Sequence, residues 1–289
     1  MSSLVNFLKL IKFSHTLFAL PFALASFVLA LGFEGARIKS NFDIVMLLWV
    51  VAAMVGMRSA AMSFNRLMDA DIDAKNPRTQ NREIPSGVIA KSTVVFYLII
   101  FSALFFIAAW QINPLALKLS PIPYAICLFY TYCKRFTSLC HLVLGVALGL
   151  SPLGAWVAVR EEIHEIPLLM GIAVMLWTAG FDILYACMDA EFDMKQGLHS
   201  IPSKLGIKNA LTLAKALHFL MIAVWALMIQ RHHYSWPLWA AWGIILILVV
   251  LQHALVKIDN LKRMNLVFFK LNVAISLIIL VGSLLEVSV

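Results

Sequence analysis

Charged residues are scarce in this sequence. Asp, Glu, Lys and Arg make up 13% of its 289 residues, and 62% of the residues are hydrophobic. A typical soluble domain carries about 25% charged residues. The mean hydropathy is +0.89. So few charges cannot cover a water-facing surface, so the composition argues against a soluble globular domain and favours a protein embedded in lipid.

The sequence also lacks the signals of covalent cross-linking and of processing. Its four cysteines, Cys127, Cys133, Cys140 and Cys187, form no CxxC pair and lie within or beside apolar runs. We therefore expect packed free thiols. The first apolar run ends at 31–33 without a small-x-small cleavage site, so we expect it to remain as a helix.

Long apolar runs are what the sequence has in abundance. Runs of about 20 apolar residues without alternation predict transmembrane helices, because lipid offers no partner to exposed backbone groups. We predict an all-α membrane bundle of nine transmembrane helices, near residues 15–33, 43–66, 92–112, 114–133, 138–159, 166–188, 209–230, 236–256 and 267–286. Only Asn113-Pro114 separates the third span from the fourth.

No linker marks a separate domain. We therefore expect one membrane domain over 1–289, built from two pseudo-repeats of about 1–135 and 136–256 and followed by a ninth helix. The net charge is +8, and the basic residues concentrate at the N-terminus and in the loops after the second, fourth, sixth and eighth spans. This bias predicts a cytoplasmic N-terminus in an inner membrane and explains the charge without nucleic acid as a partner.

The acidic residues form two clusters with fourfold spacing. The clusters end the second and sixth spans and consist of Asn65, Asp69 and Asp73, and of Asp182, Tyr185, Asp189 and Asp193. Fourfold spacing places side chains on one helix face. Carboxylates at a membrane boundary repel one another, and Mg²⁺, which binds carboxylates together with substrate phosphates, removes that repulsion. We predict that both stripes face the cytoplasmic side and hold a Mg²⁺–diphosphate; solvated loop charges are the alternative.

Basic and histidine side chains lie near the acids. Residues suited to phosphate or to an acceptor are Arg78, Arg82, Lys134, Arg135 and Lys195, although orientation in the membrane explains such residues equally well. Arg58 lies inside the second span, about two turns before Asn65. We expect it to bind an acceptor carboxylate or to complete the acidic network, with a structural anchor as the alternative. Asp182, Tyr185 and His15 are candidate acceptor contacts, and His141 is expected to be a core residue.

These motifs resemble one known family. The strings Arg58-x6-Asn65-x3-Asp69-x3-Asp73, Lys134-Arg135-Phe136-Thr137 and Asp182-x2-Tyr185-x3-Asp189-x3-Asp193 look like those of UbiA-type intramembrane prenyltransferases, most of all the 4-hydroxybenzoate polyprenyltransferases. The resemblance implies nine helices around a central cavity. It implies that Asn65, Asp69, Asp73, Asp189 and Asp193 bind Mg²⁺ and diphosphate. It also implies that Arg78, Lys134 and Arg135 contact diphosphate or acceptor.

The implied function is transfer of a polyprenyl chain from its diphosphate to an aromatic acid in quinone biosynthesis. The stretch that begins the first span, Lys12 to Pro21, departs from the Arg…Lys-Pro-x-Gly segment of many ubiquinone-pathway members. The acceptor therefore stays open between 4-hydroxybenzoate and a dihydroxynaphthoate of the menaquinone route. The proton acceptor stays open between the released diphosphate and Asp182. A cation-coupled transporter is a remote alternative. Such proteins place ionisable groups near the bilayer midplane, whereas these acids cluster at one face of the membrane beside basic loops.

Overall fold

The structure, a computed structural model, describes residues 3–11, 19–33, 41–256 and 270–289, and this part of the chain is helical with no strands. The helices are α1 (Ser3–Leu10), α2 (Leu20–Gly32), α3 (Asn41–Met68), α4 (Ala70–Lys75), α5 (Lys91–Ile112), α6 (Pro114–Leu119), α7 (Pro121–Cys133), α8 (Cys140–Arg160), α9 (Glu165–Ala186), α10 (Ala190–Lys195), α11 (Ile201–Arg231), α12 (Trp236–Leu255) and α13 (Asn272–Ser288). The all-α fold class is confirmed.

Six helices of the described ranges are long and apolar enough to cross a membrane: α3 from Ile44, α5, α8, α9, α11 and α12. Two more apolar helices, α2 and α13, overlap the first and ninth predicted spans but have only 13 and 17 residues. The six long helices support an integral membrane protein. The predicted number of nine transmembrane helices is not confirmed.

The predicted fourth span consists of two helices. Its boundary at Asn113-Pro114 is as expected, because the Asn113 side chain accepts a hydrogen bond from the Ala116 backbone N–H at 2.7 Å and starts α6. A turn at Ser120 then separates α6 from α7. Proline has no backbone N–H, so Pro121 and Pro123 cannot donate to the carbonyls of the preceding turn. A hydropathy run shows only apolar length, whereas the prolines divide the helix.

The described residues group into two compact units. The first unit takes its residues from 1–16 and 44–132, and the second from 17–43 and 133–289. In the first unit, Phe7 of α1 is fully buried and stacks on Tyr97 of α5 with ring centroids 4.0 Å apart. This contact fixes α1 against α5 beside the first acidic cluster.

The core of the second unit is formed by α2, α8, α9, α11, α12 and α13. Its largest buried side chains are Trp156 of α8 and Trp177 of α9, and the Trp177 ring lies 5.0 Å from that of Phe22 in α2. The Trp177 indole N–H donates to Asn272 Oδ1 of α13 at 3.1 Å. A buried indole N–H needs such a partner, so this bond ties α9 to the last helix.

Helices α8 and α9 approach each other backbone to backbone. A Cβ atom placed on Gly149 would lie 2.5 Å from the Gly171 carbonyl oxygen, and one on Gly145 would lie 2.5 Å from the Met175 carbonyl oxygen. Small residues four apart are a common means of close helix packing in membranes. Side chains on this face of α8 therefore lie unusually near those of α9.

Candidate active site

The first acidic cluster lies where α3 ends and the short helix α4 begins. Asp69 stands between them with φ −94° and ψ 2°, outside the α-helical values. The helical hydrogen bonds nevertheless continue through the break, because the Asp69 N–H donates to the Asn65 carbonyl and the Asp73 N–H to the Asp69 carbonyl, at 2.9 and 2.8 Å. The Asn65 amide also donates to Asp69 Oδ2 at 3.0 Å. The predicted fourfold register is present, although the helix itself is interrupted.

Asp73 is buried and held by arginines. Nη1 of Arg82 lies 2.7 Å from both carboxylate oxygens of Asp73, and Nη1 of Arg66 lies 3.8 Å from Oδ2. Arg66 is itself buried and its Nε donates to the Leu10 carbonyl of α1. Sequence reasoning placed Arg66 within a span and gave it no site role. The available signal was its position directly after Asn65.

Arg58 and Arg78 lie in different surroundings. Arg58 is in the middle of α3, and its Nε atom is buried with no hydrogen-bond partner among the described residues. Arg78 lies in the loop after α4 and is exposed, and its backbone N–H donates to Asn76 Oδ1 at 2.9 Å. A buried guanidinium nitrogen without a partner is costly, so Arg58 has an unused donor for an anion.

The second acidic cluster repeats the local structure of the first. Asp189 stands between α9 and the six-residue helix α10 with φ −107° and ψ 1°, and the Asp193 N–H donates to its carbonyl at 2.8 Å. Burial raises the pKa of the Asp193 carboxyl above its ordinary value, and the Asp189 carboxylate raises it further; a hydrogen bond from Ser200 acts in the opposite direction. A cation between two such carboxylates would relieve their repulsion.

Asp182, on α9, has a histidine partner that sequence reasoning missed. Nδ1 of His141 lies 2.7 Å from Asp182 Oδ2, and His141 Nε2 accepts a hydrogen bond from the Ile201 backbone N–H at 3.2 Å. His141 had been expected to be a core residue, and it is indeed 3% exposed. The sequence signal for a role other than packing was the four-residue spacing of His141, Gly145 and Gly149. This spacing places His141 on the face of α8 that meets α9.

Three predicted basic residues of the second unit, Lys134, Arg135 and Lys195, lie in the turn after α7 and on α10. Lys134 and Arg135 are partly buried in the turn after α7, and the Lys134 carbonyl accepts the His199 N–H at 2.7 Å. Lys195 lies on the exposed side of α10 and pairs with Glu191 at 2.7 Å. Its side-chain hydrogen bond lowers the pKa of Glu191. An exposed pair of this kind contributes little to stability and leaves Lys195 easily redirected to another anion.

The two remaining predicted acceptor contacts are Tyr185 and His15. Tyr185 is partly buried at the end of α9. His15 lies outside the described residues. Beside α10, an open cavity of about 510 Å³ is lined by both polar and apolar side chains, among them Phe136, His199 and Lys204.

The acidic clusters belong to different units, Asn65, Asp69 and Asp73 to the first and Asp189 and Asp193 to the second. That the two clusters face each other stays a prediction. Within the described residues, no three His, Cys, Asp or Glu side chains converge closely enough to hold a metal ion by themselves. The donors are nevertheless hard oxygens, the type that Mg²⁺ prefers, and Mg²⁺ commonly takes only one or two carboxylates beside substrate phosphates. The donor chemistry therefore fits a metal shared with a phosphate ligand.

Comparison with known families gives one strong match. The model of the UbiA prenyltransferase family matches residues 19–274. The 4-hydroxybenzoate octaprenyltransferase of Vibrio atlanticus (strain LGP32) is 31% identical over 165 residues, which are 57% of this chain and 57% of that protein. The enzyme of the same name from Citrobacter koseri is 33% identical over 185 residues, 63% of each chain. The chain thus spans about three fifths of the length of these curated relatives.

Two solved structures resemble this fold over nearly the whole chain. The apo structure of a UbiA homologue from Aeropyrum pernix K1 has 33% sequence identity and a TM-score of 0.84, covering 94% of this chain and 98% of that one. A UbiA homologue from Archaeoglobus fulgidus, bound to GPP and Mg²⁺, has 21% identity and a TM-score of 0.76, covering 98% and 100%. At that lower identity the likeness concerns the fold.

Proposed function

This chain belongs to the UbiA prenyltransferase family, and we propose that it transfers a polyprenyl chain from polyprenyl diphosphate to an aromatic acid, 4-hydroxybenzoate in the first place, in quinone biosynthesis. The observation that carries the proposal is the repeated acidic turn. Two long apolar helices, α3 and α9, are each followed within three residues by an aspartate that precedes a six-residue helix, and this helix carries a second aspartate one turn later. Asp69 and Asp73 are buried, and Asp189 and Asp193 are partly buried. A packing helix has no need of two acids withdrawn from solvent at its end, whereas a bound metal–diphosphate does.

The acidic turns would hold Mg²⁺ and the diphosphate together. The oxygen donors would be Asn65, Asp69, Asp73, Asp189 and Asp193, of which Asp69 and Asp73 are 2% and 4% exposed. When bound, the metal ion would neutralise the diphosphate and make it a better leaving group. Arg78, Arg82, Lys134 and Lys195 would donate hydrogen bonds to the diphosphate oxygens and stabilise the charge that develops there.

The aromatic acceptor would use a second group of residues. The buried Nε of Arg58 has no hydrogen-bond partner in the described part of the chain, and a guanidinium donor of this kind suits a carboxylate. Arg135, Asp182, Tyr185 and His15 would complete the acceptor site. Of these, the Asp182 side chain is 18% exposed and offers a carboxylate to a phenolic hydroxyl.

The names of the relatives support 4-hydroxybenzoate as the acceptor, since the Vibrio atlanticus and Citrobacter koseri proteins are 4-hydroxybenzoate octaprenyltransferases. A dihydroxynaphthoate acceptor in menaquinone synthesis remains the alternative. We further propose an N-terminus and an active site on the cytoplasmic side, on the basis of the Lys and Arg distribution. Two pseudo-repeats, about 1–135 and 136–256, would each contribute one acidic turn.

The test is a transfer assay on the full chain reconstituted in liposomes. Labelled polyprenyl diphosphate and Mg²⁺ are supplied with either 4-hydroxybenzoate or 1,4-dihydroxy-2-naphthoate, and the products are identified by mass. We expect Asp69→Asn and Asp189→Asn each to lower the rate at least about a hundredfold, because each removes a charge that the metal–diphosphate requires.

Matched controls come from the same two turns. Asp71 and Glu191 are acids of α4 and α10 whose side chains are 93% and 80% exposed. Asp71→Asn and Glu191→Gln should keep nearly the wild-type rate. A wild-type protein that prenylates neither acceptor would refute the proposed function, and full activity in Asp69→Asn or Asp189→Asn would refute the metal assignment.

A further inference from the structure

We infer that His141 is a positioning residue for the aromatic acceptor: a neutral imidazole that fixes the Asp182 carboxylate while anchoring the start of α11, an inference that rests on the proposed function. His141 would touch neither substrate. It would act through Asp182, which the proposed function places in the acceptor site.

The contact between α8 and α9 determines this arrangement. His141, Gly145 and Gly149 are spaced by four on α8, and the two glycines pack directly on carbonyl oxygens of α9. With no side chains to separate them, the helices come near enough for the imidazole to reach Asp182 Oδ2 at 2.7 Å. The hydrogen bond is therefore a consequence of the close backbone packing.

The hydrogen-bond partners define the tautomer of His141. A backbone N–H can only donate, so the bond from Ile201 requires a lone pair on Nε2. The ring proton must then be on Nδ1, where it is donated to Asp182. An imidazolium would place a second N–H against the Ile201 N–H and lose that bond. His141 is thus arranged as a neutral donor and acceptor.

The Asp182 carboxylate is held at one oxygen and available at the other. Oδ2 takes the His141 proton, and Oδ1 receives no hydrogen bond from the residues that the structure describes. Part of the Asp182 side chain remains exposed. Fixing Oδ2 orients Oδ1 toward a hydroxyl donor, and a preoriented acceptor loses less entropy when its partner binds.

The experiment compares two substitutions at one position in the liposome assay. His141→Gln offers an amide that can donate to Asp182 and accept from Ile201, but cannot be charged. His141→Leu has a similar volume and neither nitrogen. We expect His141→Leu to raise KM for the aromatic acceptor about tenfold and to leave KM for the polyprenyl diphosphate unchanged. His141→Gln should stay within about threefold of wild type for both substrates. Equal losses in both variants would overturn the inference.

A double-mutant cycle shows whether His141 acts through Asp182. In an Asp182→Asn background, His141→Leu should change KM for the acceptor less than twofold, because the group it positions is gone. Independent, multiplicative effects of the two substitutions would contradict the inference. His218→Gln serves as a control for loss of a buried histidine, since His218 of α11 bonds His253 of α12 at 2.9 Å and the Trp177 carbonyl of α9 at 3.2 Å rather than Asp182. It should not raise KM for the acceptor.

A spectroscopic measurement does not depend on how well His141→Leu folds. In ¹⁵N-histidine-labelled protein, the signals lost in His141→Gln should be those of a neutral ring protonated at Nδ1. An imidazolium, or a ring protonated at Nε2, would overturn the inference. Failure of the proposed function is distinguishable, because a wild-type chain that transfers no prenyl group can still show this tautomer.

Discussion

Replacing Gly149 by alanine tests the helix contact that brings His141 to Asp182. The new Cβ would lie 2.5 Å from the Gly171 carbonyl oxygen, whereas ordinary contacts of this kind begin near 3.4 Å. The neighbour is backbone within α9, so it cannot rotate aside as a flexible side chain would. The helices must separate by roughly 0.9 Å at this point, or the backbone must distort.

The magnitude follows from two opposing effects. Overpacking of a well-packed contact typically costs about 1–3 kcal/mol. Alanine in place of glycine inside a helix recovers up to about 1 kcal/mol. We therefore expect a net loss of about 0–2 kcal/mol in the free energy of unfolding relative to wild type, and of about 1–3 kcal/mol relative to a glycine-to-alanine change that meets no neighbour. At about 2–4 °C for each kcal/mol in a large domain, the melting temperature should lie about 2–12 °C below that of such a control.

The assay is thermal unfolding of the purified protein in detergent, followed by the loss of the monodisperse peak. Gly154→Ala is the matched control, because Gly154 lies on the same helix and a Cβ there meets nothing within 4 Å. It should melt at or slightly above the wild-type temperature. In the transfer assay, Gly149→Ala should also raise KM for the acceptor, since separating α8 from α9 lengthens the His141–Asp182 bond. Equal melting temperatures for Gly149→Ala and Gly154→Ala would show that the close backbone contact at Gly149 does not limit the residue size there.

Two further substitutions test local features. Arg82→Ala removes both hydrogen bonds to the buried Asp73 carboxylate and should lower the free energy of unfolding, measured by thermal unfolding, by about 1–3 kcal/mol. Arg78→Ala, at an exposed position, should change it little. An equal loss in both variants would contradict the role given to Arg82. Gly206 has a φ of +77° within α11, which is unfavourable for alanine. Gly206→Ala should therefore lower the free energy of unfolding by about 1 kcal/mol in the same measurement, and a variant as stable as wild type would contradict this.

The spacing of the acids could be predicted from the sequence, but the helix breaks could not. Fourfold spacing gives the register of Asn65, Asp69 and Asp73, and the backbone hydrogen bonds through Asp69 confirm it. No Pro or Gly lies next to Asp69 or Asp189 in the sequence to indicate a helix end. The short helices after each aspartate depend on the loops that follow them, which local propensity does not describe.

The partners of the acids were the other part that could not be predicted. Arg66 bonds a carbonyl of α1 far away in the chain, and His141 is joined to Asp182 across a helix pair. Such pairs are set by tertiary packing, so a single sequence gives only the residue types and no pairing. The division of the predicted fourth span was foreseeable in principle, because Pro121 and Pro123 lie within it.

The two acidic turns share one backbone but differ in their electrostatic surroundings. In the first, Asp73 is neutralised by Arg82 and approached by Arg66. In the second, burial and Asp189 together raise the pKa of the Asp193 carboxyl. Under the proposed function, a divalent cation at the first turn would compete with an existing arginine partner, whereas at the second turn it would relieve an unfavourable charge. Equal spacing in the sequence therefore does not imply equal metal affinity at the two turns. Arg82, if freed from Asp73, would be placed to donate to the diphosphate.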